Sequence, residues 1–134
     1  MTSHGSTTVY ESAVTQVGGQ VEAFLDHGLL IFFGAGSPAE LHDMSVLHEA
    51  SIVDDGPRPG DVVHVGATAL EVLAVGDVVR DNLINLGHLD LKADGRTVAN
   101  LPGDVCVRVG ELPLLAVGDT FRITRPDQRA RKQT

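Results

Sequence analysis

The sequence repeats one short turn signal, and this repeat limits the folds that the chain can adopt. Glycine followed by aspartate stands before an alternating apolar segment in three places and before a helical segment in a fourth: Pro59-Gly60-Asp61, Pro102-Gly103-Asp104, Val117-Gly118-Asp119 and Val75-Gly76-Asp77. Glycine can adopt the positive φ that such turns require, and an aspartate carboxylate can bond the following amides. Many short strands joined in this way predict a closed or nearly closed barrel, which leaves no open sheet edge.

Hydrophobic periodicity indicates where the strands and helices lie. We predict strands at residues 7–17, 29–33, 46–53, 61–65, 68–75, 89–93, 105–109 and 120–123. Helical spacing predicts a short helix around Val21, Phe24 and Leu25, and a second over residues 78–86. Ser37-Pro38-Ala39-Glu40 has the form of a capping box and predicts a third helix of one or two turns. The predicted fold class is mainly β: a small barrel-like domain of short strands with two or three short helices.

The length and charge of the chain bound its organisation and its partners. A chain of 134 residues fits one domain, predicted over residues 7–125, with residues 1–6 and the basic segment 126–134 expected to be disordered. The formal net charge of −8 argues against binding a nucleic-acid backbone or an anionic membrane surface. Since aromatic residues make up 4% of the chain and Trp is absent, stacking on bases is not expected either. Partners are expected to carry basic patches.

The N-terminal sequence and the cysteine content bear on the compartment. The stretch MTSHGSTT lacks the positive start and apolar centre of a signal peptide, and no apolar run approaches the length of a membrane span. The single cysteine, Cys106, lies in an alternating Val-Cys-Val-Arg-Val pattern that is typical of a strand. We therefore expect a cytoplasmic protein without direct membrane insertion and without a redox function.

Two histidines lie where an imidazole could take part in chemistry, because histidine titrates closest to neutral pH. His48 lies in the predicted strand 46–53; the alternative interpretation is a half-exposed strand residue. His88 follows Gly87 at the end of the predicted helix 78–86, where helix capping is the alternative. The six-residue spacing of His42 and His48 fixes no metal geometry, the segment 34–36 lacks the lysine of a P-loop, and no nucleophile elbow is present. No metal and no cofactor is predicted.

Three segments in order resemble a known family. "GSPAELHDMSVLHE", "LAVGDVVRDNLINLGHLDLKADG" and "LPGDVCVRVG" together resemble the glucitol/sorbitol-specific IIA component of the bacterial phosphoenolpyruvate-dependent sugar phosphotransferase system (PTS). The resemblance covers roughly residues 9–123. It implies a β-barrel-like fold, in agreement with the strands and turns described above.

The resemblance also implies which residues form the site. It implies that His48 is the phosphorylated residue and that Nε2 is the atom that takes the phosphoryl group. We expect an oxygen acceptor on the other ring nitrogen. Because Glu49 points to the opposite strand face, a backbone carbonyl or a residue from another loop is the expected acceptor. Family members often carry a second histidine two positions later, where this chain has Ala50. We predict His88 as a supporting imidazole, because its turn carries part of the resemblance.

The activity implied by the resemblance is that of a phosphotransferase component. His48 would accept a phosphoryl group from phospho-HPr and pass it to the IIB component of a glucitol/sorbitol (polyol) permease. A neutral imidazole suits this chemistry, because it is nucleophilic near neutral pH and its N–P bond is labile. The alternative is a non-catalytic β-barrel binding or regulatory module that has kept the fold without phosphoryl transfer.

The surface that receives these partners is expected to be apolar. Met44, Val46 and Leu47 precede His48 and are predicted to form the docking patch, with Asp43 and Glu49 at its rim. The acidic charge of the chain would complement a basic donor and raise the encounter rate.

Overall fold

The computed structural model describes residues 5–127 of the chain. Residues 1–4 and 128–134, which include most of the two ends predicted to be disordered, lie outside the described residues. The elements in chain order are β1 (Ser6–Val17), α1 (Val21–Leu25), β2 (Leu29–Gly34), a 3-10 turn (Ala39–Leu41), β3 (Val46–Val53), β4 (Val62–Val65), β5 (Thr68–Val75), α2 (Val79–Leu86), β6 (Leu89–Lys92), β7 (Asp104–Val107) and β8 (Thr120–Pro126).

The eight strands form a closed barrel in the order β1-β3-β2-β6-β7-β5-β4-β8, and β8 pairs with β1 to complete it. Six of the strand pairings are antiparallel, whereas β2 with β3 and β6 with β7 are parallel. Each parallel pair needs a crossover connection of about a dozen residues; residues 35–45 and 93–103 supply the two crossovers. The mainly β, barrel-like fold predicted from the sequence is confirmed.

The barrel interior is filled by apolar side chains from every strand. Alternate residues of a strand point to one face, so a half-buried strand supplies one core residue in two. The rings of Phe32 and Phe121 lie 4.5 Å apart between centroids, and Tyr10 packs 6.0 Å from Phe121. Burying a large apolar side chain stabilises the fold by about 1.5–3 kcal/mol. These three rings occupy the part of the interior that adjoins β3.

The Gly-Asp turns form, but their aspartate side chains are hydrogen-bonded to amides that precede them in the sequence. Gly60 and Gly118 adopt positive φ, at 95° and 94°. In the three turns that precede strands, the aspartate carboxylate accepts a hydrogen bond from the amide three residues before it, not from the amides that follow as predicted. These bonds join Asp61 to Arg58 (2.8 Å), Asp104 to Leu101 (3.2 Å) and Asp119 to Ala116 (2.8 Å). The carboxylate therefore closes the turn that leads into the strand.

The predicted capping box is wrong, although a short helical turn forms beside it. Pro38 itself is the N-cap residue, with φ −57° and ψ 145°, and no side chain caps the turn. The Ser37 hydroxyl lies one position too early to cap it, and its oxygen is buried without a hydrogen-bond partner among the described residues. The Ser37 carbonyl instead accepts a hydrogen bond from His42 Nε2 at 2.9 Å. This turn belongs to the crossover that leads into β3.

The two ends of the described chain lie side by side in the barrel. Ser6 of β1 pairs with Pro126 of β8, so regular structure extends one residue beyond each predicted domain boundary. Arg125, at the end of β8, donates hydrogen bonds to the carboxylates of Asp55 and Asp61 at 2.9–3.0 Å. This ion-pair network ties β8 to the segment that connects β3 with β4.

Candidate active site

His48 lies in β3, and its ring is enclosed by aromatic side chains. The residue is 2% exposed. Ring centroids lie 6.0 Å from Tyr10, 5.4 Å from Phe32 and 5.7 Å from Phe121. Its backbone pairs with Val14 of β1 on one side and Gly34 of β2 on the other. The interpretation of His48 as a half-exposed strand residue is therefore wrong.

Both ring nitrogens of His48 have hydrogen-bond partners. Nε2 lies 2.7 Å from the carbonyl oxygen of Gly87, and Nδ1 lies 2.6 Å from the hydroxyl oxygen of Ser12. A carbonyl oxygen only accepts, so Nε2 carries hydrogen and donates it. Burial lowers the pKa of His48, and the hydrogen bond to Gly87 opposes this shift without reversing it. The resting ring is therefore neutral, with hydrogen on Nε2 and the Nδ1 lone pair accepting from Ser12.

The expected oxygen acceptor is present, but on the other nitrogen. A backbone carbonyl does hold the ring, yet it binds Nε2, which the resemblance assigns to the phosphoryl group. Ser12, which lies on β1, occupies Nδ1 instead. Phosphorylation at Nε2 therefore requires the Gly87 carbonyl to move away first.

A pocket of about 670 Å³ opens beside His48. The imidazole and Gly87, whose carbonyl accepts from Nε2, contribute to its wall, whereas Ser12, which is bonded to Nδ1, does not. From this arrangement we infer that the Nε2 edge of the ring is the one nearer the pocket. Among the described residues that line the pocket, Glu49 is charged and none is a lysine or an arginine. The larger apolar side chains of the wall are Phe33, Pro38, Leu41, Val53, Leu83, Ile84 and Leu86.

Gly87 brings its carbonyl to the ring because it ends α2 in a conformation that suits glycine. It adopts φ 66° and ψ 18°, in the left-handed region, as is common for glycine after a helix. A Cβ atom there would lie 2.6 Å from the Gly34 nitrogen, 2.8 Å from the Gly34 Cα and 3.3 Å from His48 Nε2. The absence of a side chain therefore lets the end of α2 touch β2 and the ring at the same time.

His88 lies next to this contact but does not touch His48. Its ring stacks on Phe33, with centroids 4.0 Å apart and planes at 12°, and its Nδ1 is hydrogen-bonded to the Phe32 carbonyl at 3.0 Å. Within residues 5–127, the hydrogen-bond partners of the His48 ring are Ser12 and Gly87. His88 can thus act on the site through Phe33, which lines the pocket, and through its neighbour Gly87.

The predicted docking patch is wrong at two of its three apolar residues, whereas Met44 is half-buried and the predicted rim residues Asp43 and Glu49 are exposed. Val46 is 0% exposed and Leu47 2%, because both are packed inside the fold. The exposed apolar residues beside the pocket are others: Leu86, at the end of α2, is 54% exposed, and Val53, at the far end of β3, is 43% exposed. The two residues that precede His48 along the strand are therefore not part of the surface beside it, whereas Glu49 and Ala50, which follow it, are exposed and line the pocket.

Ser12 and the Gly87 carbonyl are the site groups that sequence reasoning missed. The Leu-Gly-His turn could have indicated Gly87, because it predicts a left-handed glycine at the end of a helix. Ser12 has no local signal, since it meets His48 through strand pairing 36 residues apart.

The described residues also bear on metals and membranes. Within residues 5–127, no group of three or more His, Cys, Asp or Glu side chains could hold a metal ion. No helix in that part of the chain is long and apolar enough to cross a membrane. Cys106 is buried in β7 and unpaired.

Comparison with solved structures indicates the class of protein to which this fold belongs. A crystal structure of a PTS system IIA component from Enterococcus faecalis V583 matches with a TM-score of 0.71 at 22% sequence identity. The match covers 83% of this chain and 96% of that one. The barrel is therefore the fold of a PTS IIA component.

Sequence comparisons give the family. The model of the PTS system glucitol/sorbitol-specific IIA component matches residues 9–122. Two relatives, the PTS system glucitol/sorbitol-specific EIIA components of Shigella flexneri and Escherichia coli (strain K12), are each 35% identical over 107 residues, which span 80% of this chain and 86% of theirs. The chain belongs to the glucitol/sorbitol-specific IIA component family, and it is a phosphoryl-carrier component of the sugar phosphotransferase system.

The close approach at Gly87 can be tested by Gly87→Ala. We expect it to lower the free energy of unfolding by about 3 kcal/mol or more, because it adds backbone overlap to the cost of a left-handed alanine. Gly118→Ala is the matched control: φ there is 94°, but nothing lies within 4 Å of the added Cβ. The control should cost about 1–2 kcal/mol. Equal losses in urea unfolding would show that the contact with Gly34 and His48 is not tight.

The lowered pKa of His48 predicts a pH dependence of stability. The unfolded ring takes up a proton below about pH 6.5, whereas the folded ring resists it to lower pH, so wild-type stability falls as the pH drops through this range. His48→Gln lacks this titration but can still donate to the Gly87 carbonyl. The stability difference, wild type minus variant, should therefore shrink below about pH 6.5. A difference that stays constant from about pH 8 to pH 5 would contradict the lowered pKa.

Proposed function

We propose that His48 carries the phosphoryl group and that Nε2 forms the bond to phosphorus. The observation that carries this proposal is an imidazole with a lowered pKa in the wall of the pocket, whose Nε2 is hydrogen-bonded to Gly87, another residue of that wall. Among the described residues that line the pocket, His48 is the one histidine. A neutral ring is the nucleophilic form, and burial keeps it neutral.

The transfer needs little machinery beyond positioning. The Nε2 lone pair attacks phosphorus, the P–N bond of the donor breaks, and its electron pair stays with the donor nitrogen. The same exchange in reverse passes the group to the acceptor. Among the described residues the pocket wall offers no lysine or arginine, so no side-chain cation of the wall holds the phosphoryl group. A weakly held phosphoryl group is what a carrier requires.

We propose phospho-HPr as the donor and the IIB component of a polyol permease as the acceptor, in the cytoplasm. The names of the two relatives support glucitol/sorbitol as the sugar served. The exposed side chains of Leu86 and Val53 offer an apolar rim beside the pocket. The net charge of −8 would attract a basic partner, and a small rim suits brief contacts with two partners in turn.

A second candidate function is a binding or regulatory module without transfer. The observation that favours it is the closed site: His48 is 2% exposed and both of its nitrogens are hydrogen-bonded. The relay requires the Gly87 carbonyl to leave Nε2 when a partner docks, whereas the module does not. Ala50 lines the same pocket with a methyl group and offers no second imidazole.

Labelled phosphoenolpyruvate, with enzyme I and HPr, separates the two functions. We expect the wild type to take up stoichiometric, acid-labile label, and His48→Gln to take up none. His27→Gln, at an exposed position, is the control and should label fully. An unlabelled wild type would favour the binding module, and label on His48→Gln would move the phosphorylation to another residue.

The supporting role of His88 gives a second test in the same assay. His88→Ala removes the ring that stacks on Phe33 and the hydrogen bond to the Phe32 carbonyl. We expect the initial rate of label uptake to fall about three- to tenfold with unchanged final stoichiometry, a loss of roughly 1 kcal/mol in positioning. His64→Ala is the control, because it removes another hydrogen-bonded imidazole, 2.9 Å from Thr124. Equal rates in the two variants would argue against a role for His88.

A further inference from the structure

We infer that Ser12 is a positioning residue whose hydroxyl reverses its hydrogen bond to His48 during phosphoryl transfer. It donates to Nδ1 in the resting state and accepts from Nδ1 when Nε2 reacts. This inference rests on the proposed function, because it concerns the same ring. Ser12 does not line the pocket, so it acts on the phosphoryl group only through the imidazole.

The Ser12 hydroxyl has the neighbours that both directions of its hydrogen bond to His48 require. Its Oγ lies 2.6 Å from His48 Nδ1 and 3.4 Å from the Phe121 carbonyl oxygen. Ser12 is 2% exposed, and β1 lies between β3 and β8, so the hydroxyl sits between the ring and the neighbouring strand. A serine hydroxyl has one hydrogen and two lone pairs, and it can rotate between these partners.

The proton positions require the reversal. At rest the ring carries hydrogen on Nε2, which donates to Gly87, and Nδ1 accepts from Ser12. Nε2 can attack phosphorus only with a free lone pair, so the neutral ring must first move its hydrogen to Nδ1. The net change moves one hydrogen from Nε2 to Nδ1 through water that reaches the ring once docking has displaced the Gly87 carbonyl: Nε2 releases a proton to this water and Nδ1 takes one from it, so the charge does not change. The Nδ1–H group then needs an acceptor, and Ser12 Oγ is the group that faces it.

The same hydrogen bond persists through transfer. When the P–Nε2 bond forms, Nδ1 keeps its hydrogen and the ring becomes formally cationic beside the phosphoryl dianion. In this form the group that leaves in the next transfer is a neutral imidazole, whereas loss of the Nδ1 hydrogen would leave an imidazolate, a much poorer leaving group. Ser12 therefore holds the ring in the form that passes the phosphoryl group on, while its own hydrogen turns to the Phe121 carbonyl.

The test compares Ser12→Ala with Ser45→Ala. Ser45 is the matched control, because it is also buried and its hydroxyl donates to the Leu41 carbonyl at 2.6 Å, away from the ring. With phospho-HPr as the donor, we expect Ser12→Ala to lower kcat about tenfold with unchanged KM, the order expected for one unsatisfied buried donor. Ser45→Ala should keep the wild-type kcat once both variants are shown to be folded.

A titration separates positioning from a merely structural role. In phosphorylated Ser12→Ala, the pH at which the His48 ring loses its Nδ1 hydrogen should fall by about one unit, because the acceptor is gone. Phosphorus-31 NMR measures this pH directly, and Ser45→Ala should not change it. A wild-type kcat and an unchanged titration in Ser12→Ala would overturn the inference while leaving the carrier function intact.

If Ser12→Ala does not fold, a measurement on the wild type still tests the inference. Nitrogen-15 NMR of the histidine rings should then show hydrogen on His48 Nε2 before phosphorylation and on Nδ1 after it. Hydrogen on Nδ1 already in the resting protein would overturn the reversal. A wild type that takes up no label at all would remove the proposed function, and this inference with it.

Discussion

The hydrogen bond between His48 Nε2 and the Gly87 carbonyl is the contact on which the site depends. It fixes the ring as the Nε2–H tautomer, and it exists because Gly87 ends α2 in the left-handed region against the backbone of Gly34. Gly34 in turn pairs with His48 across β2 and β3. This hydrogen bond therefore connects the end of α2 to the His48 imidazole, next to the pairing of β2 with β3. It also covers the nitrogen that we propose as the phosphorylated atom, so the proposed transfer requires docking to displace a single carbonyl.

Closure of the barrel brings the other residues of the site to His48. β1 lies between β3 and β8, and this order brings the Ser12 hydroxyl and the Tyr10 and Phe121 rings to the His48 imidazole. The aromatic surroundings remove water and keep the ring neutral, and the serine satisfies the nitrogen that faces inward. A buried imidazole with both nitrogens bonded is stable in this setting. The proposed transfer would require one of these two partners to be withdrawn.

Much of the fold could be predicted because strand alternation and Gly-Asp turns are local signals. The bounds predicted for β3 and β5 agree with the structure, and the remaining strands differ by one to three residues at an end. Ser12 could not be found, because its contact with His48 depends on which strands become neighbours when the barrel closes. The predicted docking patch failed for the same reason: Val46 and Leu47 directly precede His48 in sequence but pack inside the fold. Two predictions of local hydrogen bonds were wrong: the helix cap by Ser37, and the bonds from the turn aspartates to the amides that follow them.

The central claim is that the phosphoryl group is bonded to one atom, Nε2 of His48. The most direct measurement is the nitrogen-15 to phosphorus-31 coupling in protein labelled at its histidine rings and loaded from phosphoenolpyruvate through enzyme I and HPr. We expect phosphorus to split a single nitrogen-15 ring resonance, that of His48 Nε2. Splitting of Nδ1, or of a resonance from any other histidine, would contradict it.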